Sequence, residues 1–441
     1  GHHCAAGFTE NLGLFEVPFQ ETSILYDPLM TDRSKKQEQR LAPASFATIA
    51  LLTIFVFSTP AKWATLHISS VLILLTLLLA RRDFWVSLPV RAYVGLTLLW
   101  LLPVTGATAL QHVQHLETAT SWSDQAIFIL RVLGVGLGVL FLLQKQWITL
   151  RQLSFVVVGS LLVHGLIGIG QWIFHPDFTL MAWRSIRTQG IVGNPNPYGF
   201  FMALGLVLSV ALLRDRSTSQ VLRLALWTTT SIFALGILSS GSRGAIITAA
   251  VGIAVLFPPN TGRRIGLYSA ILGSLAIAYF FSHWQDANAH SDDTRATALK
   301  FSLESIVQRP LTGWGFRSFT RIPGHSGINA AHNMLADLAL SSGLIALGTF
   351  LFSITLVGYR LLRTNTPLTQ TFLALLACAF VAGTLEYSVL SSNHFRGPWM
   401  LIVALACHAF GTAGPRNEQD TTAGSMPFPV EIDSTTNRVI G

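Results

Sequence analysis

The chain has 441 residues, of which 51% are hydrophobic and only 11% charged. Soluble globular domains carry about 25% charged residues, so the composition excludes water as the main solvent, and a net charge of +8 does not by itself point to nucleic acid. The three cysteines, Cys4, Cys378 and Cys407, offer neither a disulfide framework nor metal-ligand spacing.

Residues 1–30 contain no long apolar core and begin with Gly; they read as an expression-derived extension, with Met30 a natural start. Residues 1–42 together form a cytoplasmic N-terminal segment. A hydrocarbon core of roughly 30 Å needs about 20 apolar residues per helix. Such windows recur at 43–59, 63–80, 84–104, 125–144, 153–175, 197–213, 222–240, 242–258, 264–283, 332–358, 368–390 and 397–413. The expected fold is an all-α integral membrane bundle over 43–413, with about 12 transmembrane helices and a large periplasmic loop, 284–331, between the ninth and tenth. Within that loop TRATALKFSLESIVQRP (294–310) has apolar residues near helical spacing and is stopped by Pro310, ahead of the turn LTGWGF. The tail 414–441 is polar and rich in Pro, Thr and Asn, a composition that favours disorder, and it lies in the cytoplasm.

Lys and Arg concentrate in cytoplasmic loops of membrane proteins. With the N-terminus in the cytoplasm, the cytoplasmic turns hold Arg81 and Arg82; Lys145 and Arg151; Arg214, Arg216 and Arg223; Arg263 and Arg264; Arg360 and Arg363. The outer loop 105–124 holds none. Against this bias stand Arg184, Arg187, Arg243, Arg295, Lys300, Arg309, Arg317, Arg321 and Arg396 on the outer side. A bound anion would compensate them.

Three outer segments carry groups able to do chemistry. AWRSIRTQGIVGNPNPYGFF (182–201) places Arg184 and Arg187 before a Gly/Asn/Pro turn containing Asn194. SSGSRGA (239–245) wedges Arg243 between two spans, where a guanidinium needs a partner. INAAHNMLADLALSSGLIALG (328–348) sets His332 and Asn333 where the loop becomes a helix, with Asp337 on the same helix. Plainer readings stand beside each: arginines reaching lipid headgroups, a glycine-built hairpin, and a helix cap. Taken together, the segments offer arginine forks suited to a pyrophosphate and one imidazole able to act as a base near neutral pH. No spaced acidic pair suggests a metal site, and no phosphate-binding loop of the Walker type is present.

As a set, RTQGIVGNPNPYGFFMAL, the SGSRGA turn, Arg295 followed by PLTGWGF, and HNMLADLALSSGLIALG resemble the O-antigen ligase and polymerase superfamily of membrane glycosyltransferases, over roughly 180–360. Asp337 departs from the Glu expected there, and Pro197 lengthens the Asn-Pro turn. The resemblance implies an inner-membrane enzyme with its active site facing the periplasm. It implies glycan transfer from an undecaprenyl-pyrophosphate donor to a hydroxyl of the lipid A–core oligosaccharide, with inversion and without metal or cofactor. His332 would be the general base, and Arg184, Arg187, Asn194, Arg243, Arg295 and Asn333 would bind substrate. A polymerase of the same superfamily, which extends the glycan, shares these motifs. A lipid-linked glycan flippase is the alternative of a different class, kept open by Arg91, Arg131, His164 and Glu386 within the spans.

Overall fold

The computed structural model describes residues 78–114, 121–175, 187–215, 218–257, 289–316, 318–324 and 331–412. The segment 1–42, the spans expected at 43–59 and 264–283, nearly all of 63–80, Arg184 and the tail 414–441 lie outside the described residues.

Every regular element among the described residues is helical. In chain order the α-helices are α1 (Arg82–Val86), α2 (Leu88–Val113), α3 (Trp122–Gln144), α4 (Leu150–Ile173), α5 (Pro195–Leu213), α6 (Gln220–Ser240), α7 (Arg243–Leu256), α8 (Ala289–Gln308), α9 (Met334–Thr364), α10 (Pro367–Leu385) and α11 (Asn393–Thr412), with short 3-10 turns at Gly190–Val192 and Phe319–Arg321. Seven of them, α2 to α6, α9 and α10, are long and apolar enough to cross a membrane; α7 and the apolar part of α11 are shorter. The chain is a multi-pass membrane protein, with seven such helices among the described residues against the 12 expected.

Polar side chains start the helices. Ser121 accepts the amide of Asp124 to begin α3, and Ser219 accepts that of Leu222 to begin α6. Thr149 with Gln152 and Thr366 with Thr369 close reciprocal capping boxes on α4 and α10. α5 packs on α4, α6, α7 and α10, while α9 packs on α2, α8 and α10. Small residues allow close approach: a Cβ at Gly252 of α7 would strike Cys378 of α10 and Val207 of α5.

The bundle has two chemically different ends. At one, Arg214 donates to the Leu256 carbonyl and to Gln370, and Arg151 pairs with Asp215 at 3.6 Å, gathering the ends of α4, α5, α7 and α10. The opposite end carries the candidate site.

α9 is broken. Gly343 has φ 81° and ψ 172°, outside the helical region. The turn after α8 fills the gap with its own backbone. Trp314 and Gly315 donate amide protons to the carbonyls of Leu340 and Ser341 at 2.7 and 2.9 Å, and Leu344 donates to Pro310 at 2.7 Å. Backbone groups freed by a helix break must find partners in a membrane interior, and PLTGWGF supplies them. Two glycines make the approach possible: a Cβ at Gly313 would sit 2.6 Å from the Ser341–Ser342 peptide, and one at Gly343 would collide with the Leu311 carbonyl. The turn thus fixes the end of α8, whose other half carries Arg295, to the segment of α9 that follows His332.

Candidate active site

The first wall is the segment 187–193. The Gln171 side chain accepts the Gly190 amide at 2.9 Å and donates to the Gly190 carbonyl at 3.0 Å, pinning the segment to the end of α4. Thr188 donates its amide to Ser239 at 3.0 Å. Gly190 and Gly193 both take positive φ, which the tight turn into α5 requires. Asn194 then caps α5, its side chain accepting the Asn196 amide at 3.0 Å. Arg187 is drawn inward: its Nε donates to the Ser240 carbonyl at 3.0 Å and its Nη2 to Asn196 Oδ1 at 2.6 Å.

The second wall is the hairpin between α6 and α7. Gly241 takes φ 60° to end α6, and Ser242 caps α7 by accepting the Ala245 amide at 3.3 Å. Arg243 is the first residue of α7.

The third wall brings three helices together. His332 has φ 49°, a left-handed conformation in which a non-glycine residue is strained by about 1–2 kcal/mol. Asn333 next to it caps α9, accepting the amides of Leu335 and Ala336 at 2.9 and 3.0 Å, and donates to the Thr384 carbonyl of α10 at 2.7 Å. Glu386 sits just past the end of α10. Its Oε2 pairs with Arg295 Nη2 of α8 at 2.6 Å, its Oε1 accepts from Asn196 Nδ2 at 2.6 Å, and Oε1 lies 4.0 Å from His332 Nδ1. A continuous polar chain therefore runs from Ser240 through Arg187, Asn196 and Glu386 to Arg295, with His332 at its edge.

Burial pushes the His332 pKa below the ordinary imidazole value. Glu386 and Asp337 pull it up and Arg295 pulls it down. Burial wins because the Glu386 carboxylate is committed to Arg295 at 2.6 Å and stands farther, at 4.0 Å, from the imidazole. The ring is neutral at pH 7 and able to accept a proton. Arg187 is also pulled down, first by burial, then by its cationic neighbours Arg295 and Arg243, while Glu386 opposes this. Arg187, Arg243 and Arg295 thus gather around the Glu386 carboxylate, a cationic neighbourhood suited to an anion.

Of the residues singled out from sequence, Arg187, Arg243, Arg295 and His332 share this end of the bundle. The carboxamides of Asn194 and Asn333 are used to cap α5 and α9. Arg396, grouped from sequence with cations awaiting an anion, is instead buried in α11 and donates to the carbonyls of Val389 and Leu390. Arg309 lies over the Trp314 ring, 4.3 Å from its centroid. Sequence reasoning placed Glu386 inside a span and missed its role; the readable signal was a lone acid near the outer end of an apolar run. Asn196 was read only as part of the turn.

Residues 228–351 match the family model described as Wzy_C, O-Antigen ligase. This stretch carries the Arg243 hairpin, α8 with Arg295, the PLTGWGF turn and His332, and it bears out the resemblance to the O-antigen ligase and polymerase superfamily. Members of that family are glycosyltransferase-like enzymes of lipopolysaccharide biosynthesis. No curated protein matches the chain.

Proposed function

We propose that this protein is an O-antigen ligase of the bacterial inner membrane, transferring a glycan from undecaprenyl pyrophosphate to a hydroxyl of the lipid A–core oligosaccharide. The observation that carries the reading is the meeting of His332, Glu386, Arg295 and Arg187 at one end of the bundle, inside and beside the family match. The opposite end holds Arg151, Arg214, Arg360 and Arg363 on its helix ends, and the basic-loop bias supports a periplasmic site in this reading.

In this mechanism neutral His332 takes the proton of the acceptor hydroxyl. The oxygen attacks the anomeric carbon, the bond to the pyrophosphate breaks, and its electron pair leaves with undecaprenyl pyrophosphate; a single displacement inverts the anomeric centre. Arg187, Arg243 and Arg295, with Arg184, stabilise the charge that grows on the leaving group. Diphosphate is a good leaving group when so neutralised, and the arginines supply charge that a divalent cation would otherwise bring. Glu386 holds Arg295 and Asn196 in place and stabilises the imidazolium that forms.

The test is a transfer assay with purified protein in lipid nanodiscs, offering one labelled undecaprenyl-pyrophosphate glycan and two acceptors. Transfer to lipid A–core supports the ligase. Transfer only to a second lipid-linked repeat assigns the chain to polymerisation, and transport without transfer rejects both.

A further inference from the structure

We propose that Ser388, Asp337 and Arg396 form a buried clamp on the turn 386–392 and act as positioning residues for Glu386. The consequence for catalysis rests on the transfer reading above; the clamp itself rests on geometry.

α10 ends at Leu385, so Glu386 opens an irregular turn rather than riding on a helix. A carboxylate there keeps a 2.6 Å pairing only if the turn is held from outside. It is held on two sides by opposite charges. Asp337, 2% exposed, accepts a hydrogen bond from the Ser388 hydroxyl, and Ser388 Oγ accepts the Leu390 amide at 3.1 Å. Arg396, 3% exposed, donates from Nε to the Val389 carbonyl at 2.8 Å and from Nη2 to that of Leu390, with its guanidinium 4.8 Å from the Phe128 centroid. Burying either ion is expensive unless its hydrogen bonds are met, and both ions direct hydrogen bonds to this one turn. Tyr387 adds a stacked contact with Phe395, ring centroids 5.7 Å apart.

The clamp also links the two groups that flank the proposed proton transfer. Asp337 lies in the first turn of α9, its amide bonded to the Asn333 carbonyl at 2.9 Å, directly after His332. The same carboxylate grips the turn of Glu386. Asp337 therefore sets the helix of the base against the turn of the acid.

The decisive experiment reads the His332 pKa by NMR on histidine-labelled full-length protein in nanodiscs, the resonance assigned by its loss in His332→Ala. Among the described residues, the charged groups facing this imidazole are Glu386 from the end of α10, Arg295 from α8 and Asp337 from α9 itself. Ser388→Ala loosens the turn, moves Glu386 away and lowers the His332 pKa. In a Glu386→Gln background the same change leaves only the smaller shift carried by Asp337, which loses its Ser388 partner in both backgrounds. Ser388→Thr, which keeps the hydroxyl, restores the wild-type value, and Ser388→Cys serves in place of Ala should the alanine variant not fold. Transfer by Ser388→Ala falls about tenfold to a hundredfold, as displacement of a reacting group by ~1 Å does, and falls no further in the Glu386→Gln background. Equal pKa shifts in both backgrounds, or none in either, overturn the clamp. A cycle that behaves as stated, in a protein that transfers no glycan, overturns the transfer reading alone.

Discussion

Arg295 of α8 and Glu386 beyond α10 form an ion pair at 2.6 Å, and this pair joins the helix delivered by the long loop to the membrane bundle. Its carboxylate also accepts from Asn196 at 2.6 Å, so one acid ties the start of α5 and the first half of α8 to the end of α10.

Glu386→Gln should separate charge from shape. The amide oxygen still accepts from Asn196, but Arg295 loses its counter-ion and the imidazolium loses its stabilising charge. Transfer is expected to fall about tenfold to a thousandfold with the protein still folded. Initial rates over a donor concentration series would show the loss mainly in kcat; an unchanged rate would remove Glu386 from the machinery.

The pH profile follows from the direction of the His332 shift. Its pKa is lowered by burial, and the neutral ring is the working form. Activity should therefore rise with pH through that lowered pKa and be on its plateau by neutral pH. The acid limb of kcat/KM lies below the ordinary imidazole value of about 6.5. Glu386→Gln removes a raising charge and moves the limb lower still. A limb above that value would contradict the electrostatic account.

Much of this architecture was written in the apolar windows. α3 to α6 and α10 coincide with predicted spans because about 20 consecutive apolar residues admit little else in lipid. The break in α9 was hidden, since SSG (341–343) is a short interruption between the apolar stretches of the span expected at 332–358, and only the partner backbone of PLTGWGF shows why the helix can open. Glu386 was hidden for a similar reason. The turn that follows it is buried, with Val389 and Leu390 fully covered, so its residues read as a continuation of the span to 390. The anion expected to balance every outer cation also gave way in part: Arg396 is matched by carbonyls and Arg295 by Glu386, partners no one-dimensional pattern reveals.

Gly343→Ala tests the broken helix. The new methyl would enter the Leu311 carbonyl at a left-handed φ of 81°. With ψ at 172° this is an extended positive-φ conformation open essentially to glycine alone, so the conformational penalty is about 1–3 kcal/mol, and the collision adds to it. Thermal unfolding in detergent should shift down by several degrees, and transfer should fall with it because Arg295 loses its anchored frame. A variant as stable and as active as wild type would show that the turn is not seated on α9.

Arg187→Lys keeps a cation but loses the fork that meets Ser240 and Asn196 together. The expected outcome is a donor KM raised about tenfold with a smaller change in kcat. Undecaprenyl pyrophosphate titrated into the variant would give the affinity directly, and equal affinity would exclude Arg187 from donor binding.

The most direct measurement is single-turnover transfer by His332→Ala with donor already bound. Loss of the base should leave donor affinity near the wild-type value and slow the transfer step about 10²–10⁴-fold. Transfer at the wild-type rate from that variant would contradict the assignment of His332 as the group that takes the acceptor's proton.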